Sequence, residues 1–379
     1  MYSAKTRPTR FWAIATRHCK SMRIGIIGAG QLGQMLGFAA RSLDIEVRYI
    51  DPSDDPPAAE CGKVIQSAFD DPVALVALAD TCDAITYEFE NVPVTALQHI
   101  EGIAPVYPPA AALRHSQDRL DEKKLFDELG IPLPGYHAIE TRQDMDLAAD
   151  KLGLPMVIKT RRFGYDGKGQ FVVKQADELD TAWDELGNQA LIAEQWVSFD
   201  YEISCIGVRS ISGEVAIYPL SRNVHVDGIL RTSRSPVDAP ELAAKASDYV
   251  HRLLDHLDYV GALALELFVT GDELLANEFA PRVHNSGHWS IEGSETSQFE
   301  NHLRAILDLP LGSTESRGYA GMVNLIGEIS DATRSLNVGA LHDYGKAPRP
   351  GRKLGHVTVI ADTAEQRDAL VEIIDNSVT

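Results

Sequence analysis

Gly261-Ala-Leu-Ala-Leu-Glu266-Leu-Phe-Val-Thr270 is followed by Gly271-Asp272-Glu273 and then by Leu274-Leu-Ala-Asn277-Glu278-Phe-Ala-Pro-Arg282-Val-His284-Asn-Ser-Gly-His288. Two apolar runs around a short turn containing glycine read as a β-hairpin. If Thr270 opposes Leu274 across the loop Gly271-Asp272-Glu273, Glu266 stands opposite Glu278 on one face of the ladder. Like charges in that position destabilise a sheet, and a carboxylate inside an apolar strand also carries a desolvation penalty. A bound cation removes both difficulties. One or two carboxylates, completed by substrate phosphates, is the usual way Mg²⁺ is held in nucleotide enzymes. The competing reading turns one glutamate to solvent, with the pairing displaced by one residue.

The chain around this hairpin has 379 residues, 44% hydrophobic and 24% charged, which suits a soluble globular protein with two or three domains. A formal charge of −20 and a pI near 5.0 argue against nucleic acid or a membrane surface as partner, since both call for cationic surface. A polyanionic ligand would therefore have to meet a local basic pocket. Cys19, Cys61, Cys82 and Cys205 are far apart with no Cys-x-x-Cys, so neither a zinc site nor a disulfide framework is indicated. The expected compartment is the reducing cytoplasm. No apolar run approaches the ~18 residues that would span a bilayer. Residues 1–21 carry Lys5, Arg7, Arg10, Arg17 and Lys20 and no acid. They read either as a transit-type peptide or as a disordered extension ahead of a fold that starts near Met22.

Arg23-Ile-Gly-Ile-Ile27 reads as a buried strand, and Gly28-Ala-Gly30-Gln31-Leu32-Gly33 opens a helix through about Leu43. Glycines here permit a tight turn and bring an anion close to a helix N-terminus. The next strand, Glu46 to Ile50, ends in Asp51, where a dinucleotide-binding fold holds a ribose-binding acid. Asp83 to Tyr87 forms another strand, with Glu88-Phe-Glu90-Asn91 at its carboxyl end, so the two loops would line one crevice. Leu154 to Lys159 is a strand ending in lysine, followed by Arg161-Arg162-Phe-Gly164-Tyr165-Asp166-Gly167-Lys168-Gly169-Gln170 and a further strand. A glycine-rich loop with cations at its base can close over a polyphosphate, although it lacks the Gly-Lys-Ser/Thr of a Walker loop. A plain hairpin turn at Asp166-Gly167 is the alternative.

These stretches, together with Gln117-Asp118-Arg119, Thr296 to Glu300 and Arg352 to His356, cover nearly everything from Met22 onward. In them the chain resembles the ATP-grasp enzymes and, among these, the N5-carboxyaminoimidazole ribonucleotide synthetases of purine biosynthesis. The most discriminating part is His284 to His288 with Ser297 to Glu300. The resemblance implies a mixed α/β and α+β chain with an ATP-grasp fold. It places a Rossmann-like preATP-grasp domain at 22–125, a lid domain at 126–202 and a C-terminal domain at 203–379, the last including a terminal subdomain over about 318–375. It implies an ATP- and Mg²⁺-dependent ligase that joins bicarbonate to 5-aminoimidazole ribonucleotide through carboxyphosphate, releasing ADP and phosphate. A homodimer is expected on the same ground.

By matching position, the resemblance assigns Arg119 and Lys159 to ATP, the loop Tyr165, Asp166, Gly167, Lys168, Gly169 and Gln170 to its triphosphate, and Glu194, Gln195, Trp196 and Val197 to an adenine-binding hinge. Glu202 would accept from the ribose, with His225 and Asn277 nearby and Glu266 and Glu278 as metal ligands. Ala280 stands where many relatives carry an Asn. The ribonucleotide would meet Gln31, Leu32, Glu88, Asn91, Asp166, Arg282, His284, Asn285 and Ser286. Its phosphate would meet the basic cluster Lys346, Arg349, Arg352 and Lys353, for which a solvated face is the alternative. Arg282, His284 and Lys159 are the candidate catalytic residues. Three rivals are weighed at this point: another ATP-grasp carboxylase or formyl-transferring purine ligase, an NAD-dependent dehydrogenase built on Gly28 to Gly33 and Asp51, and a catalytically dead nucleotide-binding protein, which would lack the metal ligands that this chain carries at Glu266 and Glu278.

Overall fold

Three sheets organise the chain in a computed structural model that describes residues 21–164 and 167–378. The expected extension over 1–21 lies outside the described residues except for Ser21. The first sheet is parallel, with β1 (Arg23–Ile27), β2 (Glu46–Asp51), β3 (Lys63–Gln66) and β4 (Ala84–Tyr87) in the order β3-β2-β1-β4. Ile24, Ile26 and Ile27 are buried, as a strand covered on both faces requires. The chain leaves β1 through Gly28 at φ +102° and enters the helix Gln31–Ser42. Strand order reverses beside β1, so the crevice between the carboxyl ends of β1 and β4 is the natural ligand position.

The second sheet is antiparallel and carries its own small core of Ile139, Met145, Ile158 and Leu191. Its strands β5 (Tyr136–Ile139), β6 (Met156–Thr160), β7 (Gln170–Val173) and β8 (Leu191–Gln195) run in the order β5-β8-β6-β7. The glycine-rich loop joins β6 to β7, with Lys159 paired to Gln170 at its base.

The third sheet is antiparallel throughout. It comprises β9 (Tyr201–Arg209), β10 (Val215–Ile217), β11 (Ser221–Val226), β12 (Ile229–Ser235), β13 (Gly261–Thr270), β14 (Glu273–Ala280), β15 (Tyr319–Ile326), β16 (Ala340–Asp343) and β17 (Lys353–Ala361). The order is β14-β13-β9-β11-β12-β15-β17-β16, with β10 on β9. The last three strands thus extend the sheet that carries the glutamate hairpin. The first and third sheets share one apolar core, in which Ile24 and Tyr49 join Ala262, Trp289 and Phe299, so they hold each other in place. The small sheet packs on a separate apolar core of its own. The helix Arg119–Glu128 and strand β9 run unbroken through the boundaries expected at 125/126 and 202/203, so both boundaries fall inside elements.

Candidate active site

The two glutamates face each other, but not by the turn the sequence suggested. Thr270 pairs with Glu273, so the loop is only Gly271-Asp272, with Gly271 at φ +58° in the position where a two-residue hairpin turn favours positive φ. The extra residue sits instead at Asn277, as a β-bulge that returns Glu278 to a place opposite Glu266. Glu266 is 8% exposed and its Oε1 is buried with no hydrogen-bond partner, while Glu278 Oε2 accepts from Arg119 Nη1 at 3.0 Å. Burial and then the facing Glu278 push the Glu266 carboxyl up; for Glu278 burial acts the same way, but Arg119 and Lys159 outweigh it and hold the acid low. An orphaned buried carboxylate oxygen beside a second carboxylate fits a hard divalent cation. Among the described residues no cluster of three or more His, Cys, Asp or Glu could hold a metal by itself, so the remaining ligands must come from substrate or water.

Both glutamates open into a cavity of about 950 Å³, at the upper end for a ligand pocket. On the side of the small sheet it is lined by Arg119, Lys159, Gly167, Lys168, Gln170, Trp196, Glu202, His225 and Asn277. Gly167 reaches the turn after β11, where a Cβ would stand 3.0 Å from Asp227 O, so Gly167 meets that turn at the cavity wall. Tyr165 and Asp166 lie outside the described residues, and Gly169 does not line the wall. Of the expected adenine hinge only Trp196 reaches the cavity. Glu194 instead sits behind it as a buried counter-ion, accepting from Lys159 Nζ at 2.8 Å with Lys123 Nζ at 3.8 Å. Burial would raise its acid, yet Lys123, Lys159 and Arg119 hold it down at about 2. Arg161 and Arg162, expected at the base of the phosphate loop, are both engaged by Asp118, at 2.8 and 3.3 Å. Glu202 pairs with His225 Nδ1.

The other wall comes from the first sheet and the end of the third. Gln31, Leu32, Glu88, Asn91, Arg282, His284, Asn285, Lys346, Arg349, Arg352 and Lys353 all line it. The glycine turn, however, leaves no place for a phosphate: Glu88 accepts from Gly30 N at 2.5 Å and from Gly33 N at 2.6 Å, occupying the anion position at the helix N-terminus. Asp51 likewise accepts from Ala29 N and Ser53 N at 2.8 and 2.9 Å. These contacts remove the basis for a dinucleotide site. Lys346 Nζ donates to Gln31 Oε1, tying the cationic segment to the glycine turn. Burial and the neighbouring Arg352 lower the Lys346 ammonium to about 8, as expected of a cation crowded by like charge that awaits an anion.

Arg282 is gripped by Glu90 at 2.5 Å. His284 takes Ser286 Oγ at 2.9 Å and Ser286 N at 3.3 Å on Nδ1, so Nδ1 accepts and Nε2 carries the proton. Burial and then Arg282 lower the imidazole to about 3, so it stays neutral. Ser286 itself is fully buried and acts on His284, not on the cavity. Four residues to which the sequence motifs assign no role, Glu90, Glu122, Phe199 and His288, also line the cavity. For Glu122 the signal was its spacing of three from Arg119 on one helix face.

Three family models match the chain: a ribonucleotide synthetase preATP-grasp domain at 21–117, an ATP-grasp domain at 124–299 and a phosphoribosylaminoimidazole carboxylase C-terminal domain at 320–369. The N5-carboxyaminoimidazole ribonucleotide synthase of Pseudomonas aeruginosa is 46% identical over 355 residues, 93% of this chain and 98% of that one. The chain belongs to the N5-carboxyaminoimidazole ribonucleotide synthase family. The synthetase of Thermus thermophilus superposes with a TM-score of 0.90 at 48% identity, covering 94% of this chain and 98% of that one. The Aspergillus clavatus enzyme, solved with ADP and 5-aminoimidazole ribonucleotide, gives 0.87 at 31% identity, covering 94% and 98%. The fold is therefore that of an ATP-grasp ligase, and neither the dehydrogenase nor the formyl-transferring alternative survives.

Proposed function

We propose that this chain joins bicarbonate to 5-aminoimidazole ribonucleotide at the expense of ATP, giving N5-carboxyaminoimidazole ribonucleotide, ADP and phosphate. The observation that carries the site assignment is a single cavity in which two facing glutamates lie between two separate groups of cations, one for each phosphorylated substrate. Lys159, Arg119 and the glycine loop would hold the triphosphate, with Trp196 against adenine and the Glu202–His225 pair at the ribose. Lys346, Arg349, Arg352 and Lys353 would hold the phosphate of the ribonucleotide. Glu266 and Glu278 would ligate Mg²⁺, which supplies charge neutralisation of the transferring phosphoryl group.

In the first step an oxygen of bicarbonate attacks the γ-phosphorus and ADP leaves, forming carboxyphosphate. In the second, the exocyclic amine attacks the carboxyl carbon, or the CO₂ released from it; a C–N bond forms, phosphate departs and the amine loses a proton. Arg282, aimed by Glu90, and the Nε2–H of neutral His284 would donate to the bicarbonate oxygens and to the charge that develops on them. Because Ser286 fixes the His284 tautomer, that donor costs little reorganisation. Closure of the loop over the cavity would keep water from carboxyphosphate.

Work in the cytoplasm fits free Cys61, Cys82 and Cys205 and the absence, among the described residues, of any helix long and apolar enough to cross a membrane. A homodimer is proposed from the family resemblance alone. The test is ADP release with each substrate omitted in turn. Release should require both bicarbonate and the aminoimidazole ribonucleotide for full rate, and a rate indifferent to the nucleotide would overturn the substrate assignment.

A further inference from the structure

The metal hairpin does not set its own register. Its two-residue turn alone would place Glu266 opposite Asn277 and put Glu278 beside Leu265, on the reverse face of the sheet, because a one-residue slip inverts every side chain. The bulge at Asn277 corrects this, and a bulge leaves backbone groups unpaired that something must satisfy. Strand β14 is also the edge of the third sheet, so its outward N–H and C=O groups have no strand partner.

One helix supplies what is missing. Arg119, Glu122, Lys123 and Phe126 occupy positions i, i+3, i+4 and i+7 of the helix Arg119–Glu128 and therefore share a face. Their contacts fall on three successive residues at and after the bulge. Lys123 Nζ donates to Asn277 O, Arg119 Nη1 donates to Glu278 Oε2 at 3.0 Å, and Glu122 Oε1 accepts from Phe279 N at 2.8 Å. Phe126 meets the Phe279 ring edge-on at 6.1 Å. Before the bulge the outward group is Ala276 N, which donates to Pro132 O at 2.7 Å, so the change of sidedness at the bulge coincides with the hand-over to the helix. Glu122 and Lys123 are 2% and 1% exposed, so these are built contacts of the interior.

We infer that Glu122 and Lys123 are positioning residues for the metal site: they hold the bulged register of β14 and so keep Glu278 on the same face as Glu266. The inference rests on reading Glu266 and Glu278 as the metal ligands. Neither positioning residue needs to touch metal or substrate. Lys123 also lies 3.8 Å from Glu194, the partner of Lys159, so the same helix ties the hairpin to the nucleotide-side cation. Groups that hold metal ligands in place typically change affinity by about 10–100-fold when removed.

The test is Mn²⁺ affinity in the presence of ADP, measured by the loss of the free-ion paramagnetic resonance signal, on the full chain. Glu122→Gln keeps an acceptor for Phe279 N–H and should bind within about twofold of the native protein, whereas Glu122→Leu should weaken binding by about tenfold or more. Lys123→Gln, too short to reach Asn277 O, should behave like Glu122→Leu and serves if that variant does not fold. The KM for the aminoimidazole ribonucleotide should stay within about twofold in each, a split that general loosening would not produce. Glu266→Gln is the control. Native-like Mn²⁺–ADP binding in both Glu122→Leu and Lys123→Gln, with weakened binding in Glu266→Gln, would overturn the clamp. Native-like binding in Glu266→Gln would instead remove the metal reading beneath it.

Discussion

Replacing Glu266 by glutamine should stabilise the ligand-free protein while collapsing turnover, and replacing Glu278 should weaken both. Glu266 is buried, one of its oxygens has no hydrogen-bond partner, and it faces a second carboxylate. Neutralising it relieves an unsatisfied buried group, about 1–3 kcal/mol, and a like-charge opposition across the ladder, about 0.2–1 kcal/mol. Part of this is offset by the amide hydrogens, which also need partners. A net gain of about 1–2 kcal/mol would lift Tm by about 1–3 °C, since an unfolding entropy of about 2.1 cal/mol/K per residue gives a little over 1 °C per kcal/mol for a chain of 379 residues. Glu278 differs because its Oε2 is the partner of Arg119 at 3.0 Å. Stripping a buried cation of its partner costs about 3–5 kcal/mol; with the Glu278 side chain 41% exposed, solvent screening reduces that to about 1–2 kcal/mol. In both variants turnover should fall by about 100-fold or more, since groups that merely support a metal ligand already cost about 10–100-fold. The assay is thermal unfolding without nucleotide or metal, set beside steady-state ADP release. A Glu266→Gln protein that melts below the native one, or that turns over within about tenfold of it, would refute the reasoning.

Arg352→Ala should raise the KM for the aminoimidazole ribonucleotide much more than that for ATP, and equal effects in steady-state kinetics would make the basic cluster structural. Lys346 gives a pH prediction. With its ammonium lowered to about 8, the free enzyme carries that charge below this value and loses it above, so kcat/KM for the ribonucleotide should fall as pH rises through about 8. Lys346→Arg, charged throughout, should flatten that limb. Glu90→Ala, by freeing Arg282, should lower kcat by about 10–100-fold with little change in the KM for ATP, as judged from initial rates.

The fold class was legible because its signals are local: a buried strand running into a glycine turn, a lysine-ended strand before a glycine loop, and two apolar runs each with one carboxylate. The opposition of Glu266 and Glu278 was legible too, since only a same-face pairing gives the two acids a purpose. What the sequence concealed were choices between partners of equal local plausibility. A three-residue turn and a two-residue turn with a bulge give the same pairing of glutamates, and only the outward contacts of the helix Arg119–Glu128 select the second. Glycine spacing predicted an anion at the N-terminus of Gln31–Ser42, but the anion is the chain's own Glu88, brought there by a strand far away in sequence. Arg161 and Arg162 looked like phosphate ligands by composition, yet Asp118, the cap of the preceding helix, engages both, and Glu140 also pairs with Arg161. Glu194 and Ser286 sit one layer behind the wall, where they hold Lys159 and His284, a distinction of depth that a linear motif does not carry.

The most direct measurement follows oxygen. Bicarbonate labelled with heavy oxygen, incubated with the protein, ATP, Mg²⁺ and 5-aminoimidazole ribonucleotide, should transfer one labelled oxygen to each inorganic phosphate released, as read by mass spectrometry of the phosphate. Phosphate carrying only solvent oxygen would mean that water, not bicarbonate, attacks the γ-phosphorus, and the account of this cavity would fail.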